Sequence, residues 1–430
     1  MSAAAHQRIT QLATLTAVHR AFHWLHLHQP RLRHWLLEIV RIPAPPFHEQ
    51  SRAEFFLDRF RSLGLTNVHV DDEGNALAEL APEGSPSTPD SLPSTSCILI
   101  SAHLDTVFPP GTPTEPIERT DSPHIHCPGI CDNGAGLSAL LAIAASLRFA
   151  RIHSPATILF AANVGEEGEG DLRGMRYLFE RGPYRGRIAA AIALEGSGTS
   201  TVVTRALGSL RFRVTINGPG GHSWSDAGTP NPILLLSRAL ADIADLPLST
   251  SPVTTLNVGH ISGGTSVNSI PSSATALIEL RSTSTEHLHS AAGEIRRILE
   301  YTVATQCATS QPPTLHIEAI GDRPAGSLPE DSALLSTLRA VDRHLTLPTE
   351  QRLGSTDANL PLSLGIPALA IGTGGIGGNI HTIEEWYDPT GREIALRRIL
   401  LLLLAATQVT PKLAAESSSV NSEAAVHSTP

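Results

Sequence analysis

The chain has 430 residues, 41% apolar and 17% charged, an ordinary globular composition that excludes intrinsic disorder. A formal charge of −10 with no Lys/Arg cluster argues against a nucleic-acid-binding surface. The most apolar stretch, 399–406, falls far short of the roughly 20 residues that cross a bilayer, so it reads as a buried helix and no membrane partner is expected.

In chain order, the N-terminal histidines (His6, His19, His23, His26, His28, His34) fall in a helical region without shared acidic partners and read as surface or packing residues. Residues 32–64 predict a helix, a Pro-Ala-Pro-Pro turn and a second helix, and 67–80 alternates as a strand pair. The Pro/Ser-rich segment 82–96 reads as a surface loop. A short apolar run from Cys97 predicts a buried strand that delivers His103 at its carboxyl end. An apolar helix over 134–149 follows, then strands at 156–163, ending just before Glu166, and at 189–194, ending at Glu195. Strands alternating with helices, with polar residues at the strand ends, predict an α/β domain whose site lies beyond the carboxyl edge of a mostly parallel sheet flanked by helices.

The pattern then changes. Strands at 211–217, 254–260, 274–281 and 314–320 and helices at 232–246 and 285–305 give the order β-α-β-β-α-β, the ferredoxin-like arrangement. It reads as a separate α+β domain, 209–322, inserted between the two parts of the first, 1–208 and 323–414. The second part carries a helix at 332–344, a strand at 368–371 and a closing helix at 392–406. The polar tail 415–430 reads as disordered.

Cys127 and Cys131 lack the second pair that a zinc-cysteine site needs, and with Cys97 and Cys307 they read as reduced thiols. With no secretory signal at the N-terminus, a cytoplasmic location is the expectation.

The chemistry-bearing residues occupy loops after apolar runs: His103 and Asp105 in SAHLDT, Asp132 in CDNGAG, Glu166 and Glu167 in VGEEGEG, Glu195 in ALEGSG and His381 in GGNIHT. Two imidazoles and several carboxylates suit zinc or a similar divalent ion, and there are more carboxylates than one tetrahedral zinc needs. The surplus suggests two ions sharing a ligand, with one carboxylate left for proton transfer. Singly, each has a bland alternative. Asp132 could be a helix N-cap, His-x-Asp a simple loop, and the glycine-rich segment before His381 a phosphate cradle, although it lacks the Lys-Ser/Thr ending of a P-loop. The adjacent Glu166 and Glu167 repel unless a cation or shared proton relieves them. Pointing different ways, one can bind metal while the other acts as a base.

In this order, HLDT, DNGAG, GEEGEG, the acidic residue after the next strand, GPGGHS in the inserted domain and a late histidine resemble one family. It is the co-catalytic zinc amidohydrolase and exopeptidase family that includes tripeptide peptidase (peptidase T), succinyl-diaminopimelate desuccinylase, aminoacylase and glutamate carboxypeptidase. The resemblance spans about residues 30–410. It implies that Asp132 bridges two zinc ions, replaceable by cobalt or manganese, one completed by His103 and Glu195 and the other by Glu167 and His381. Glu166 matches the general base, Asp105 a support for His103, and the Asp132–Asn133 peptide bond is cis in relatives. The inserted domain matches a lid that forms a homodimer. His222 in PGGHS matches a histidine that reaches the partner's site to stabilise the oxyanion, and Asn268 and Arg281 match residues that hold the substrate.

The implied activity is exopeptidase cleavage of a di- or tripeptide, as in an aminopeptidase, with GEEGEGDLRGM and GSTDAN (354–359) closest to the tripeptide-peptidase branch. A deacylase of N-acyl amino acids, a related aminopeptidase lacking the lid and a non-catalytic binding protein remain the alternatives.

Overall fold

The structure, a computed structural model, describes residues 3–82, 96–305 and 311–424. Most of the Pro/Ser-rich loop, Cys307 and the last six residues of the tail lie outside the described residues.

The chain divides into two compact units, residues 1–205 with 327–430, and residues 206–326. The first opens with helices α1 (Ala3–Ala13), α2 (Thr16–Leu27), α3 (Gln29–Val40) and α4 (Gln50–Ser62), then β1 (Thr66–Val70) and β2 (Ala76–Leu80). Strand β3 (Cys97–His103) precedes the short strands β4 (Ile117–Glu118) and β5 (Ile125–His126) and helix α5 (Gly136–Ala150). Strand β6 (Thr157–Asn163), the single-turn helix α6 (Arg173–Arg176), β7 (Ile188–Leu194) and β8 (Thr201–Ala206) complete this part.

The second unit holds β9 (Gly208–Asn217), β10 (Gly221–His222), α7 (Pro232–Ala244), β11 (Thr254–Gly263), β12 (Ser269–Ile270), β13 (Ser273–Ser282), α8 (Thr285–Ala304) and β14 (Thr314–Arg323). The chain then adds β15 (Gly326–Ser327), α9 (Ala333–His344), β16 (Glu350–Gly354), α10 (Asn359–Ser363), β17 (Ala368–Ile371), β18 (Ile376–Gly378), β19 (Trp386–Asp388) and α11 (Glu393–Ala424).

The first unit is built on a sheet of order β1-β2-β6-β3-β7-β17-β8-β15, with β16 paired to β8. Its centre, β6-β3-β7-β17, is parallel, and β2 and β8 join antiparallel at its two sides. This is the mostly parallel sheet that the sequence predicts. The four central strands are apolar and nearly completely buried, as expected for strands covered on both faces. The chain leaves β3 for β6 on one side and then crosses to β7 on the other. That reversal opens a crevice at the carboxyl end of β3, where open α/β sheets bind ligands.

Helix α5 packs on β3, β6 and β7 and is itself covered by α2 and α3, which explains why it is apolar around its whole circumference. The helical segment 130–150 is apolar and long enough to span a membrane, yet 94% of its window is buried inside the fold. Residues 399–406 are buried in α11. His26, in α2, has a carboxylate partner that the sequence did not suggest: its Nδ1 lies 2.8 Å from Glu393, 367 positions away.

The second unit has the order β11-β13-β9-β14, all antiparallel, with α7 and α8 on the sheet. With β9-α7-β11-β13-α8-β14 along the chain, this is the ferredoxin-like topology. Alternate residues of β13 (Ala274, Ala276, Ile278, Leu280) are buried, so one face of the strand joins the core with Leu235, Leu236, Leu288 and Leu299.

One buried ion pair ties the first unit's helices to its sheet. Arg398 of α11, fully buried, donates to both oxygens of Asp342 in α9 (2.6 and 2.9 Å) and to the carbonyls of Thr199, Ser200 and Thr201 at the start of β8. Removing the arginine leaves Asp342 charged in the interior with only the Thr349 hydroxyl as a side-chain partner. Arg398→Ala is therefore expected to lower unfolding free energy by about 3–5 kcal/mol, measured by urea denaturation.

Candidate active site

Each central strand delivers one part of the site. His103 is the last residue of β3, Glu166 and Glu167 follow β6, Glu195 follows β7, and the glycine-rich segment after β17 leads through β18 to His381. Asp132 lies in the turn entering α5, joined to Asn133 by a cis peptide bond. The structure brings His103, Asp105, Asp132, Glu167, Glu195 and His381 together.

The arrangement has two halves that meet at Asp132. Its Oδ1 lies 3.0 Å from His103 Nε2, which is also 3.4 Å from Glu195 Oε1. Its Oδ2 lies 3.0 Å from His381 Nε2, which is also 3.2 Å from Glu167 Oε1. Ligand atoms of His103, Asp132 and Glu167 lie within 4.8 Å of one another. Glu195 Oε2 is buried with no hydrogen-bond partner among the described residues. An orphaned carboxylate oxygen, two imidazole nitrogens and a carboxylate facing both halves form a donor set that fits two divalent cations.

The electrostatics agree. Burial, with Asp132 and Asp357 nearby, pushes the Glu195 carboxyl up to about 7, although His103 pulls it down. Asp132 and Glu167 raise His381 to about 10. Burial would lower His103, but Asp105, Asp132 and Glu195 outweigh it and hold the imidazole well above its usual range. Burial likewise opposes ionisation of Asp132, yet the two histidines keep its carboxyl below the usual range. Without ions, the carboxylates thus recruit protons onto both histidines, so the site is short of positive charge.

Asp105 plays a wider part than support for one imidazole. His103 Nδ1 lies 3.0 Å from the Asp105 main-chain oxygen and 3.6 Å from its carboxylate. The carboxylate accepts the backbone N–H groups of Glu166 (3.0 Å) and Glu167 (2.7 Å), so it fixes the turn that aims both glutamates. Glu166 is itself buried.

Two neighbours that the sequence reading did not single out complete the frame. The Asn133 side chain donates to Leu194 O (2.9 Å) and accepts from Gly136 N and Gly196 N, which links the Asp132 turn to the end of β7. Glu385, fully buried, accepts from the amides of Gly129, Cys131 and Asp132. Burial pushes its carboxyl up to about 7, and the three amides pull against that. The glycine segment before His381 packs close: a Cβ at Gly377 would lie 2.3 Å from Cys131 Sγ. His381 itself has φ 66°, in the left-handed region that non-glycine residues seldom adopt. Cys97, Cys127 and Cys131 are buried free thiols, each pushed up to about 12 by burial. Beside Asp132 and Glu195 a cleft of about 420 Å³ opens, with Val203, Arg352, Ile376 and Ile380 in its lining.

The other predicted residues belong to the second unit. His222 is exposed, and β10 pairs with β12, setting His222 opposite Ser269 beside Asn268. Asn268 O accepts the N–H of Ser223 (3.0 Å). Arg281 sits on β13, opposite Thr255 and Ser209, and its guanidinium is paired to Glu279 through two 2.9 Å hydrogen bonds.

The sequence pattern of Peptidase family M20/M25/M40 matches residues 99–405. The chain belongs to that peptidase family. The resemblance read from its motifs is thereby borne out, and the protein is a hydrolase with a candidate metal site. A probable carboxypeptidase of Uncinocarpus reesii is 28% identical over 272 residues, covering 56% of this chain and 59% of that relative. Among solved structures, a tripeptidase of Staphylococcus aureus superposes with TM-score 0.69 at 20% identity, covering 88% of this chain and 98% of that one. A dinuclear metal binding peptidase of Bacillus subtilis superposes with TM-score 0.61 at 16% identity over 88% and 98%. At these identities the two structures establish a shared fold.

An ion that binds only the folded site stabilises it by mass action. Zinc or cobalt at about a thousand times its dissociation constant should add about 4 kcal/mol per independent site. Thermal melts with and without chelator check this, and Asp132→Ala is expected to abolish the increment.

Proposed function

We propose that this M20-family chain is a dinuclear metallopeptidase that removes a terminal residue from di- or tripeptides, with two zinc ions held by His103, Asp132, Glu167, Glu195 and His381. The observation that carries the reading is the pair of Asp132 oxygens, each 3.0 Å from a different histidine that has its own second carboxylate. Cobalt or manganese would suit the same mixed nitrogen and oxygen donors. The names of the tripeptidase and the dinuclear peptidase with this fold support a small peptide substrate and two ions. A cytoplasmic setting suits three buried, unlinked thiols.

When bound, the ions would acidify a water molecule and polarise the scissile carbonyl. The chain's own residues do the rest. Glu166, buried and with its backbone N–H held by Asp105, takes the water's proton and returns it to the leaving amine. His222 of a second copy donates to the oxyanion as it forms. Its ring is poised for this, because Nδ1 accepts the backbone N–H groups of Trp224 (3.2 Å) and Ser225 (3.4 Å). An Nδ1 that accepts leaves the proton on Nε2. Homodimerisation through the second unit is supported by its edge strand β11, exposed from Asn257 to Gly263 and carrying Val258 and Ile261. Asn268, in the loop tied to the His222 turn, and Arg281 would hold the substrate's carboxylate or oxyanion, with Arg281 exchanging Glu279 for substrate.

Hydrolysis of a panel of di- and tripeptides beside N-acetyl and N-succinyl amino acids tests the substrate class. Preference for the peptides is the expected outcome, and turnover of the acylated amino acids alone would make the protein a deacylase. Residue roles are tested by subunit mixing. Glu166→Gln is expected to keep both metals and lose roughly two to four orders of magnitude in kcat. His222→Ala should also be poorly active. Co-refolded, the two variants regain part of the activity, because a mixed dimer holds one site with both groups intact. No recovery would remove His222 from the partner's site.

A further inference from the structure

We infer that Glu385 is a positioning residue for the bridging carboxylate, holding Asp132 in register with His381 so that both ions can be bound at once. The inference rests on the two-metal reading above.

Glu385 stands four residues after His381 and directly before β19, and its side chain is fully buried. Oε2 accepts the amide of Gly129 (2.8 Å), and Oε1 accepts those of Cys131 (2.8 Å) and Asp132 (2.9 Å). One carboxylate thus gathers three N–H groups of the turn that ends in Asp132, including the amide of Asp132 itself. Its main chain reaches the same two loops: Glu385 O accepts Cys127 N (3.0 Å), and Glu385 N donates to Thr382 O (3.1 Å). The residue is therefore bonded, on one side, to the turn carrying Asp132 and, on the other, to the loop carrying His381. Those are the two groups whose 3.0 Å approach defines one half of the site.

The residue type follows from the donors. Three converging N–H groups need an acceptor with two oxygens and no N–H of its own. Glutamine would set an amide N–H against a backbone N–H at one position, leaving a buried donor unpaired. Aspartate, one methylene shorter, would reach fewer of the three amides. A partner that only filled space would not need both oxygens engaged, and one that only tied down a loop would not need to grip the ligand's own amide.

The test is metal binding by the full chain. Wild type, Glu385→Gln and, as a neighbouring control, the exposed Glu384→Gln are stripped of metal. They are then titrated with cobalt, followed by visible absorption, and zinc affinity is measured against a chelator, beside metal-free melts and kcat and KM. Wild type and Glu384→Gln should take up two equivalents with one spectrum. Glu385→Gln should bind about 10–100-fold more weakly with a changed cobalt band. At saturating metal its kcat should fall while KM stays close to wild type. A folded Glu385→Gln that binds both ions with wild-type affinity and spectrum overturns the inference, even if it melts lower. If the glutamine variant does not fold, Glu385→Asp carries the same measurements, and wild-type affinity and spectrum in it overturn the inference equally. Wild type taking up no metal would instead sink the two-metal reading, and this inference with it.

Discussion

The site depends on one electrostatic constraint: Asp132, Glu167 and Glu195 converge around two imidazoles, one of them (His103) fully buried, at the carboxyl edge of the sheet. Two like charges about 4 Å apart repel by about 4 kcal/mol at the effective dielectric of a partly screened site. Glu195, raised to about 7, and His381, raised to about 10, are the symptoms of that crowding. The charges that do not face the crevice are satisfied elsewhere. Asp105 accepts two backbone amides and Glu385 accepts three. Arg52, the buried cation beside Asp105, directs its guanidinium to the carbonyls of Ile42 and Leu104. What remains is a cluster whose missing charge matches divalent ions.

The sheet makes this crowding tolerable. Four parallel strands, buried and paired on both sides, end within the same edge, and β3, β6 and β7 each set one part of the site on a rigid stem. Only Asp132 and His381 approach on longer loops. Both loops carry unusual backbone, with a cis bond at Asp132–Asn133 and a left-handed φ at His381. They are also where Asn133, Glu385 and Gly377 tie loop to loop.

Much of this was legible in the sequence because the strands are short apolar runs with polar residues just past their ends, a local signal. Cys97 to His103 and 189–194 could be read that way, and so could the ferredoxin-like alternation of the second unit. The legible site residues share a second property: His103, Asp132, Glu166, Glu167 and His381 stand in glycine-rich or acidic motifs that resemble a family as an ordered set. Glu385 has neither mark. It sits in Ile-Glu-Glu-Trp-Tyr-Asp, where Glu384 is exposed and Glu385 buried, and no local period separates them. Its partners lie 253 to 256 positions away, so its meaning is tertiary. Asp105 was half legible: its spacing from His103 is local, whereas its grip on the Glu166 and Glu167 amides crosses from β3 to β6.

This division has a physical reason. A ligand must present its side chain to the crevice and so sits where a strand stops, a position that the sequence marks. A residue that orients a ligand acts through that ligand's main chain, and any loop packed alongside can supply it. Asp105 and Glu385 are two different solutions to the same requirement: each takes up backbone amides at the base of a crevice-facing side chain, from the neighbouring strand and from the far end of the chain, while Asn133 ties the Asp132 turn to Gly196, beside Glu195. Bound ions would pull the carboxylates toward themselves, and only a turn already fixed at its amides keeps the two halves at one spacing as they fill. The precision of such a site is therefore set by the main-chain amides beneath its functional side chains as much as by those side chains themselves.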